Sequence, residues 1–173
     1  MINQAMLVLD DWRRDMAPFP EKIHGLWFEE FEPGQTLITS GRTISEADIL
    51  TFAGLSGDFN QVHVNEEYGN QTIFGKRIAH GLLVLSMAVG LLVQTGLIKE
   101  TMGAFREIAR WKFRLPVFIG DTIHVVLKVL ETRAVPRMDG GLLTIGLDVL
   151  NQKEEVVMNG NLQMFMLSDP AVK

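Results

Sequence analysis

A strict alternation of apolar and polar residues in the second half of the chain predicts β-strands. Between Ala109 and Leu115 the apolar positions alternate with Arg110, Lys112 and Arg114, which gives one apolar and one basic face. The same alternation continues in three further segments, Ile123 to Val129, Leu143 to Val149 and Glu155 to Leu167. Turn signals stand between the segments at Pro116, Gly120-Asp121 and Asp139-Gly140-Gly141. Consecutive strands joined by short turns indicate an antiparallel sheet.

An uncharged stretch from Gly81 to Ile98 precedes these strands. Its 18 residues are at the lower limit for a membrane span, but glycine, serine, glutamine and threonine dilute its hydrophobicity and strand-like segments follow it. We therefore expect no membrane association, and a helix that is apolar nearly all round and buried at the centre of the protein. A sheet that curls around one buried helix belongs to the α+β class.

The first half of the chain predicts two shorter helices. After a β-rich run at 36–43, Ser45 and Asp48 have the spacing of a helix-capping box, and this helix should end near Gly57. A second short helix is expected around Glu66 to Asn70. Residues 1–30 predict only an irregular or partly helical lead-in, and acidic residues follow its short apolar run, which argues against a signal peptide.

Composition narrows the class of protein further. The chain has 173 residues, of which 47% are hydrophobic, a balance typical of one globular domain with a substantial core. Because 16 Lys and Arg residues face 21 Asp and Glu residues, the net charge of −5 excludes the global basic field that non-specific nucleic-acid binding needs. The absence of cysteine excludes a thiolate nucleophile, a disulfide and a thiolate metal site, and we expect a cytoplasmic protein.

Asp58 and His63 are the densest pair of residues with acid–base chemistry. A separation of five positions turns two side chains about 140° apart on a helix and sends them to opposite faces of a strand. Only an irregular segment should bring them together, and Gly57 and Asn60 allow the backbone to bend in this way. The pair is thus a candidate general acid and base. The alternative is that Asp58 caps a turn and His63 is a partly buried polar residue.

The segment His80-Gly81 stands where the central helix should begin. There the first amide N–H groups lack intrahelical partners and the macrodipole is positive, so the backbone at Gly81 could polarise a substrate carbonyl as an oxyanion hole. The simpler alternative is a helix start at Gly81 with His80 as its cap. The four histidines of the chain have no close ligand spacing, and we expect no metal site.

The basic face formed by Arg110, Lys112 and Arg114 is a candidate anion site. Alternate residues on a strand lie about 7 Å apart, a distance that suits the several phosphates of a nucleotide-like carrier. A solvated face without a ligand is the alternative, since charged side chains normally lie in water.

Four segments, in the same order along the chain, resemble the MaoC-like dehydratase family, which includes the (R)-specific enoyl-CoA hydratases. They are Phe31-Glu32-Pro33-Gly34-Gln35, Ser56-Gly57-Asp58-Phe59-Asn60-Gln61-Val62-His63, Phe74-Gly75-Lys76-Arg77-Ile78-Ala79-His80-Gly81, and Phe113-Arg114-Leu115-Pro116-Val117 with Gly120-Asp121-Thr122. The resemblance covers the chain from about Phe31 to Leu167. It departs from the family pattern at Gln61, where proline is usual, and at Val89, where several hydratases carry serine.

The resemblance implies a hot-dog fold, in which a curved antiparallel sheet wraps a long central α-helix. It places the hot-dog domain at residues 31–168, between a lead-in at 1–30 and a tail at 169–173. It also implies a homodimer or higher homo-oligomer, and no cofactor other than the coenzyme A of the substrate. A single unit would leave a sheet edge uncovered, which agrees with pairing of two copies.

The function that the resemblance implies is the reversible addition of water to a trans-2-enoyl thioester of coenzyme A or of an acyl carrier. Asp58 and His63 would activate the water and manage the proton at the α-carbon, while the Gly81 N–H would hold the thioester oxygen. Asn60 and His80 would support the loop and the start of the helix. The basic face of Arg110, Lys112 and Arg114 would contact phosphates of coenzyme A.

Two other functions stay open on the sequence alone. A hot-dog thioesterase would use a carboxylate to direct water at the carbonyl carbon and would release a free thiol. A non-catalytic subunit that binds acyl thioesters would be stabilised by its ligand without forming product. The presence of both Asp58 and His63 favours the hydratase, because an addition that moves two protons suits a paired acid and base.

Overall fold

The computed structural model describes residues 24–172 of the chain. The predicted lead-in lies mostly outside the described residues, as does the apolar run considered as a signal peptide. The strands are β1 Thr36–Ile38, β2 Arg42–Thr43, β3 Met102–Phe113, β4 Thr122–Val135, β5 Gly140–Leu150 and β6 Val156–Leu167. The helices are α1 Glu46–Ser56, α2 Gln61–Val64, α3 Glu66–Gln71 and α4 Gly81–Gln94, with single 3₁₀ turns at Phe28–Glu30, Pro136–Met138 and Pro170–Val172.

The sheet is antiparallel throughout, as predicted, with strand order β1-β4-β5-β6-β3 and β2 also paired to β4. The alternating residues of β4 and β5 face each other in register: Val125 pairs with Val149 and Leu127 pairs with Leu147. All four are buried, and they share one hydrophobic core with α4. The period of two therefore identifies which face of these strands packs on the helix.

Strand β3 differs from its prediction at both ends. It begins at Met102, seven residues before the predicted Ala109, and its pairing with β6 shifts register at three places. One shift lies between Ala109 and Lys112, where Arg110 adopts a left-handed φ of 54°. This bulge interrupts the regular alternation of apolar and polar residues. As a result, Phe113 is 57% exposed, although the alternation places it on the buried apolar face.

Helix α4 is shorter and less enclosed than predicted. It ends at Gln94 and not at Ile98, and Gly96 follows in a left-handed conformation with φ of 78°, which stops the helix. Seven of its residues are buried, but Leu82 is 61% and Val93 is 50% exposed, so one stripe of the helix stays outside the core. Among the described residues, no helix combines the length and hydropathy that a membrane span requires.

Helix α1 has the capping box that the sequence predicts. The Ser45 hydroxyl accepts a hydrogen bond from the Asp48 N–H at 3.2 Å, and the Asp48 carboxylate accepts one from the Ser45 N–H at 2.8 Å. The helix ends at Gly57, whose φ of 77° is the left-handed conformation that favours glycine. This turn directs the chain into Asp58.

Replacement of Gly57 by alanine should lower the free energy of unfolding by about 1 kcal/mol, because alanine resists a left-handed φ. Gly54 is the matched control, since it lies inside the same helix with open space around the position of an added Cβ. Gly54→Ala should raise the free energy of unfolding by about 0.5–1 kcal/mol. Urea unfolding followed by circular dichroism measures both, and changes of the same sign would contradict the assignment.

Candidate active site

The carboxylate of Asp58 is held by the turn in which it lies. Its Oδ1 accepts a hydrogen bond from the Asn60 N–H at 3.2 Å, and the Asp58 N–H donates to Ser56 Oγ at 3.2 Å. Asp58 is exposed, so its carboxylate is accessible to a substrate. The backbone carbonyl of Asp58 also accepts a hydrogen bond from His80.

His63 lies on the single helical turn α2, and the expectation that this whole segment is irregular is therefore wrong. The reason is Asn60, whose side-chain oxygen accepts the Val62 N–H at 3.4 Å and caps the turn. His63 Nδ1–H donates to the Ile78 carbonyl at 2.8 Å, while the Ile78 N–H donates to the Val62 carbonyl at 3.2 Å. This pair of bonds fixes the ring and leaves the Nε2 lone pair of the neutral imidazole available.

The electrostatic surroundings of His63 favour its neutral form. Burial lowers the pKa of His63 below its ordinary value of 6.5, and the neighbouring His80 lowers it further, while the Ile78 carbonyl and Asp58 act in the opposite direction. A neutral imidazole is the form that accepts a proton. His63 is therefore prepared to act as a base.

His80 is only 2% exposed and joins the two candidate catalytic residues. Its Nε2–H donates to the Asp58 carbonyl at 2.9 Å, and its ring stacks on that of His63 with centroids 3.9 Å apart. It occupies the N-cap position of α4, as the simpler interpretation expects, but its side chain makes no capping hydrogen bond to the helix. Local spacing could not reveal these contacts because they join distant parts of the chain.

Asp58, His63 and His80 also form a set that could be considered for a metal ion, since one suitable atom from each lies within 4.8 Å of the others. When two imidazoles bind one tetrahedral zinc ion, each Zn–N distance is about 2.0–2.1 Å and the two ring centres are about 5 Å apart. The stacked rings of His63 and His80 are closer, at 3.9 Å, with planes only 31° apart. The two rings therefore do not have the spacing of two histidine ligands of one tetrahedral zinc ion, and the absence of a metal site stays a prediction.

Gly81 is the first residue of α4, as predicted, so its N–H has no acceptor within the helix. A Cβ at this position would lie 2.6 Å from Cε1 of Phe113, which shows how closely that ring approaches the helix start. Both residues line a cavity of about 630 Å³ together with His63 and Arg114, and the remaining walls are mainly apolar. The cavity therefore combines a base, a helix amide and space for an apolar group.

The three residues of the predicted basic face line one groove, and one of them also lines the cavity of the candidate site. Arg114 lines the cavity of His63 and Gly81, and its Nε–H donates to Asn159 Oδ1 at 2.9 Å. Arg110 and Lys112 line a second groove of about 360 Å³, which also includes Arg114 and Lys128. Arg114 is thus the residue that connects the candidate active site to the basic groove.

Sequence reasoning missed the role of Arg77. Its guanidinium donates to Glu46 of α1 at 2.7 and 2.8 Å and to Glu66 of α3 at 2.7 Å. The pKa of Arg77 is raised, first by the hydrogen bonds to Glu46 and then by those to Glu66. These bonds join the helices on both sides of the Asp58 turn to the segment that precedes α4. No local motif marks such a contact between distant residues.

Comparisons with known proteins place the chain in a family. A family model described as a MaoC like domain matches residues 29–149. The chain is 42% identical over 103 residues to an (R)-specific enoyl-CoA hydratase of Rhodospirillum rubrum, which covers 60% of this chain and 69% of the relative. It is 39% identical over 118 residues to Protein MaoC of Klebsiella aerogenes, and this match covers 67% of the chain but spans only 35% of the relative.

Solved structures show the same architecture. The crystal structure described as a monoamine oxidase regulatory protein from Archaeoglobus has a TM-score of 0.79 and 37% identity, covering 85% of this chain and 97% of that chain. A Mycobacterium tuberculosis protein described as having a double hotdog fold aligns with a TM-score of 0.77 and 19% identity over 88% of this chain and 47% of that chain, which confirms the expected hot-dog fold. With the family model matching more than half of its residues, the chain belongs to the MaoC-like domain family of hydratases and dehydratases.

Proposed function

We propose that the protein adds water reversibly to a trans-2-enoyl thioester of coenzyme A and forms a 3-hydroxyacyl thioester. The observation that carries the proposal is the convergence of three groups on one region. Asp58 lies beside His63, and His63 and the amide end of α4 at Gly81 line the same largely apolar cavity. The relative from Rhodospirillum rubrum, named as an (R)-specific enoyl-CoA hydratase, supports this reaction class.

The proposed reaction moves two protons. The water oxygen bonds to the β-carbon while one of its O–H bonds breaks, and a new C–H bond forms at the α-carbon. Asp58 and His63 handle the proton that leaves and the proton that is added, so the sum is one water consumed. Neutral His63, with its free Nε2, suits the accepting role.

The Gly81 N–H would hold the thioester oxygen while the carbonyl acquires enolate charge. A helix N-terminus favours negative charge, and a preorganised donor of this kind contributes about 3–4 kcal/mol to the transition state. The apolar walls of the cavity, which include Val84 and Met158, would surround the acyl group. No cofactor beyond the substrate's own coenzyme A is required.

The phosphates of coenzyme A would lie along the path from Arg114 to Arg110 and Lys112. These three cations and Lys128 border one groove that also includes Asp148, so positive charge exceeds negative charge there although the net charge of the chain is −5. Such a groove is complementary to a carrier with several phosphate groups.

We further propose that two copies of the chain pair. Strand β3 stands at one end of the strand order and presents Phe105 and Ile108, which are 40% and 47% exposed. An edge strand with exposed apolar side chains is a surface that proteins usually cover. Light scattering at micromolar concentration should give the mass of a dimer, and the mass of a monomer would contradict the pairing.

Hydration of crotonyl-CoA, followed by loss of the enone absorbance, tests the proposed function. Asp58→Asn and His63→Gln should each lower kcat by about 10²–10⁴-fold, because each removes one partner of the acid–base pair. Glu67→Gln, an exposed acid on the neighbouring α3, is the matched control and should keep full activity. Full activity of Asp58→Asn, release of free thiol, or thermal stabilisation without product would each contradict the proposal.

Arg114→Gln tests the contact with coenzyme A. The variant should raise KM for crotonyl-CoA about tenfold, which corresponds to the loss of one charge-assisted hydrogen bond at an exposed site. It should leave KM unchanged for the crotonyl thioester of N-acetylcysteamine, which has no phosphate. Arg106→Gln is the control: Arg106 lies on β3, the strand that ends just before Arg114, is exposed and lines neither the cavity nor the groove. An equal effect on both substrates would contradict the contact.

A further inference from the structure

The aromatic ring of Phe113 lies directly against the start of α4. A Cβ added to Gly81 would be 2.6 Å from Cε1 and 2.9 Å from Cδ1 of this ring, so the ring fills the space that a side chain at position 81 would take. Because a Cβ lies about 2.5 Å from its own backbone nitrogen, the ring edge is no more than about 5 Å from the Gly81 nitrogen. The ring is therefore close to the amide that is proposed to hold the thioester oxygen.

The backbone that carries this ring is held by strand pairing at the end of β3. Phe113 pairs with Met158 of β6, and the N–H groups of Arg114 and Leu115 both donate to the Val157 carbonyl, at 2.8 and 3.1 Å. The Phe113 side chain itself is 57% exposed and lines the cavity, so a substrate can reach it. Phe113 thus combines a fixed backbone with an accessible aromatic surface.

The proposed path of the substrate passes this ring. The acyl carbonyl lies at Gly81 in that proposal, and the phosphates of coenzyme A start at Arg114, which follows Phe113 in the chain and borders both the cavity and the groove. In a thioester, the sulfur joins the acyl carbonyl carbon to the carrier. An oxygen held by the Gly81 N–H is about 2.9 Å from that nitrogen, and the sulfur is bonded to the same carbon as the oxygen. The sulfur consequently falls beside the Phe113 ring.

A sulfur atom next to an aromatic ring makes a favourable contact. The sulfur is polarizable, and the preferred separation is about 5 Å, often at the edge of the ring. Phe113 presents its edge to Gly81 at about this distance from the amide nitrogen. An ester oxygen is smaller and less polarizable than sulfur and gains less from the same ring. A contact of this kind therefore distinguishes thioesters from oxygen esters.

We propose that Phe113 is a specificity-determining residue whose ring contacts the thioester sulfur, so that the protein prefers a thioester to the oxygen ester of the same acyl group and carrier. This inference rests on the proposed function, because it uses the position of the carbonyl at Gly81 and of the carrier at Arg114. It gives a role to an exposed aromatic residue that the acid–base chemistry of Asp58 and His63 does not use.

Replacement of the thioester sulfur by oxygen tests the contact. The two probes are butyryl-CoA, which has no double bond to hydrate, and its analogue in which an ester oxygen replaces the sulfur. Isothermal titration calorimetry gives the Kd of each. Phe113→Leu should weaken the binding of butyryl-CoA about 2–10-fold more than that of the oxygen analogue, because only the thioester loses a sulfur–aromatic contact. Phe113→Ile is a second aliphatic variant with the same expected result.

Two controls keep the ratio of the two Kd values at its wild-type level. Phe113→Tyr retains the aromatic ring, and Phe105→Leu makes the same substitution on the same strand at an exposed residue that does not line the cavity. Equal losses for both probes in the aliphatic variants of Phe113, or an equal change of the ratio in Phe105→Leu, would overturn the inference. Neither Kd depends on turnover. A protein that shows the thioester preference but does not hydrate crotonyl-CoA would contradict the proposed function and support the contact of Phe113.

Discussion

The hydrogen bond from His80 Nε2–H to the Asp58 carbonyl is the interaction on which the arrangement of the site depends. This bond connects the turn that contains Asp58 to His80, the residue before α4. Helix α4 in turn packs in the hydrophobic core. The bond from His63 Nδ1–H to the Ile78 carbonyl attaches the second catalytic candidate to the same segment. The candidate acid, the candidate base and the first amide of α4 are therefore positioned by one short stretch of backbone, residues 78–81.

That stretch is itself held by the loop between β3 and β4. The Ala79 N–H donates to the Val117 carbonyl at 2.7 Å, and Ile78 forms an isolated antiparallel bridge with Phe118. Arg77 adds ion pairs to Glu46 and Glu66, although these are partly exposed and contribute little energy individually. Their value is geometric, because they join three segments that surround the Asp58 turn. Preorganisation of this kind is what proton transfer and charge stabilisation require.

Local sequence rules predicted much of this molecule and failed where distant residues meet. The alternation in β4 and β5, the capping box at Ser45 and the helix start at Gly81 each depend on neighbouring residues, and each is seen in the structure. The bulge at Arg110 depends on strand pairing, which single-residue periodicity does not contain. The early end of α4 has a local cause, the left-handed conformation of Gly96, which the run of uncharged residues concealed.

In the candidate site, too, local rules predicted the features that depend on neighbouring residues and missed the contacts between distant ones. Asp58 and His63 stood out because their spacing excludes a common face on regular structure, yet Asn60 gives His63 a helical turn of its own. The hydrogen bond between His80 and the Asp58 carbonyl joins residues 22 positions apart. The hydrogen bond between His63 and the Ile78 carbonyl joins residues 15 positions apart. No spacing rule reaches that far. Chemical type and a family resemblance identified the residues, and only the fold could identify how they touch.

In the proposed reaction, Asp58 and His63 act as one unit on a water at the start of α4. The most direct measurement is kcat for crotonyl-CoA hydration in Asp58→Asn, His63→Gln and the double variant. Residues that act as a unit are strongly non-additive, so the double variant should be no slower than the slower single variant within about threefold. A double variant whose loss equals the product of the two single losses would contradict the claim, because it would mean that the residues act independently.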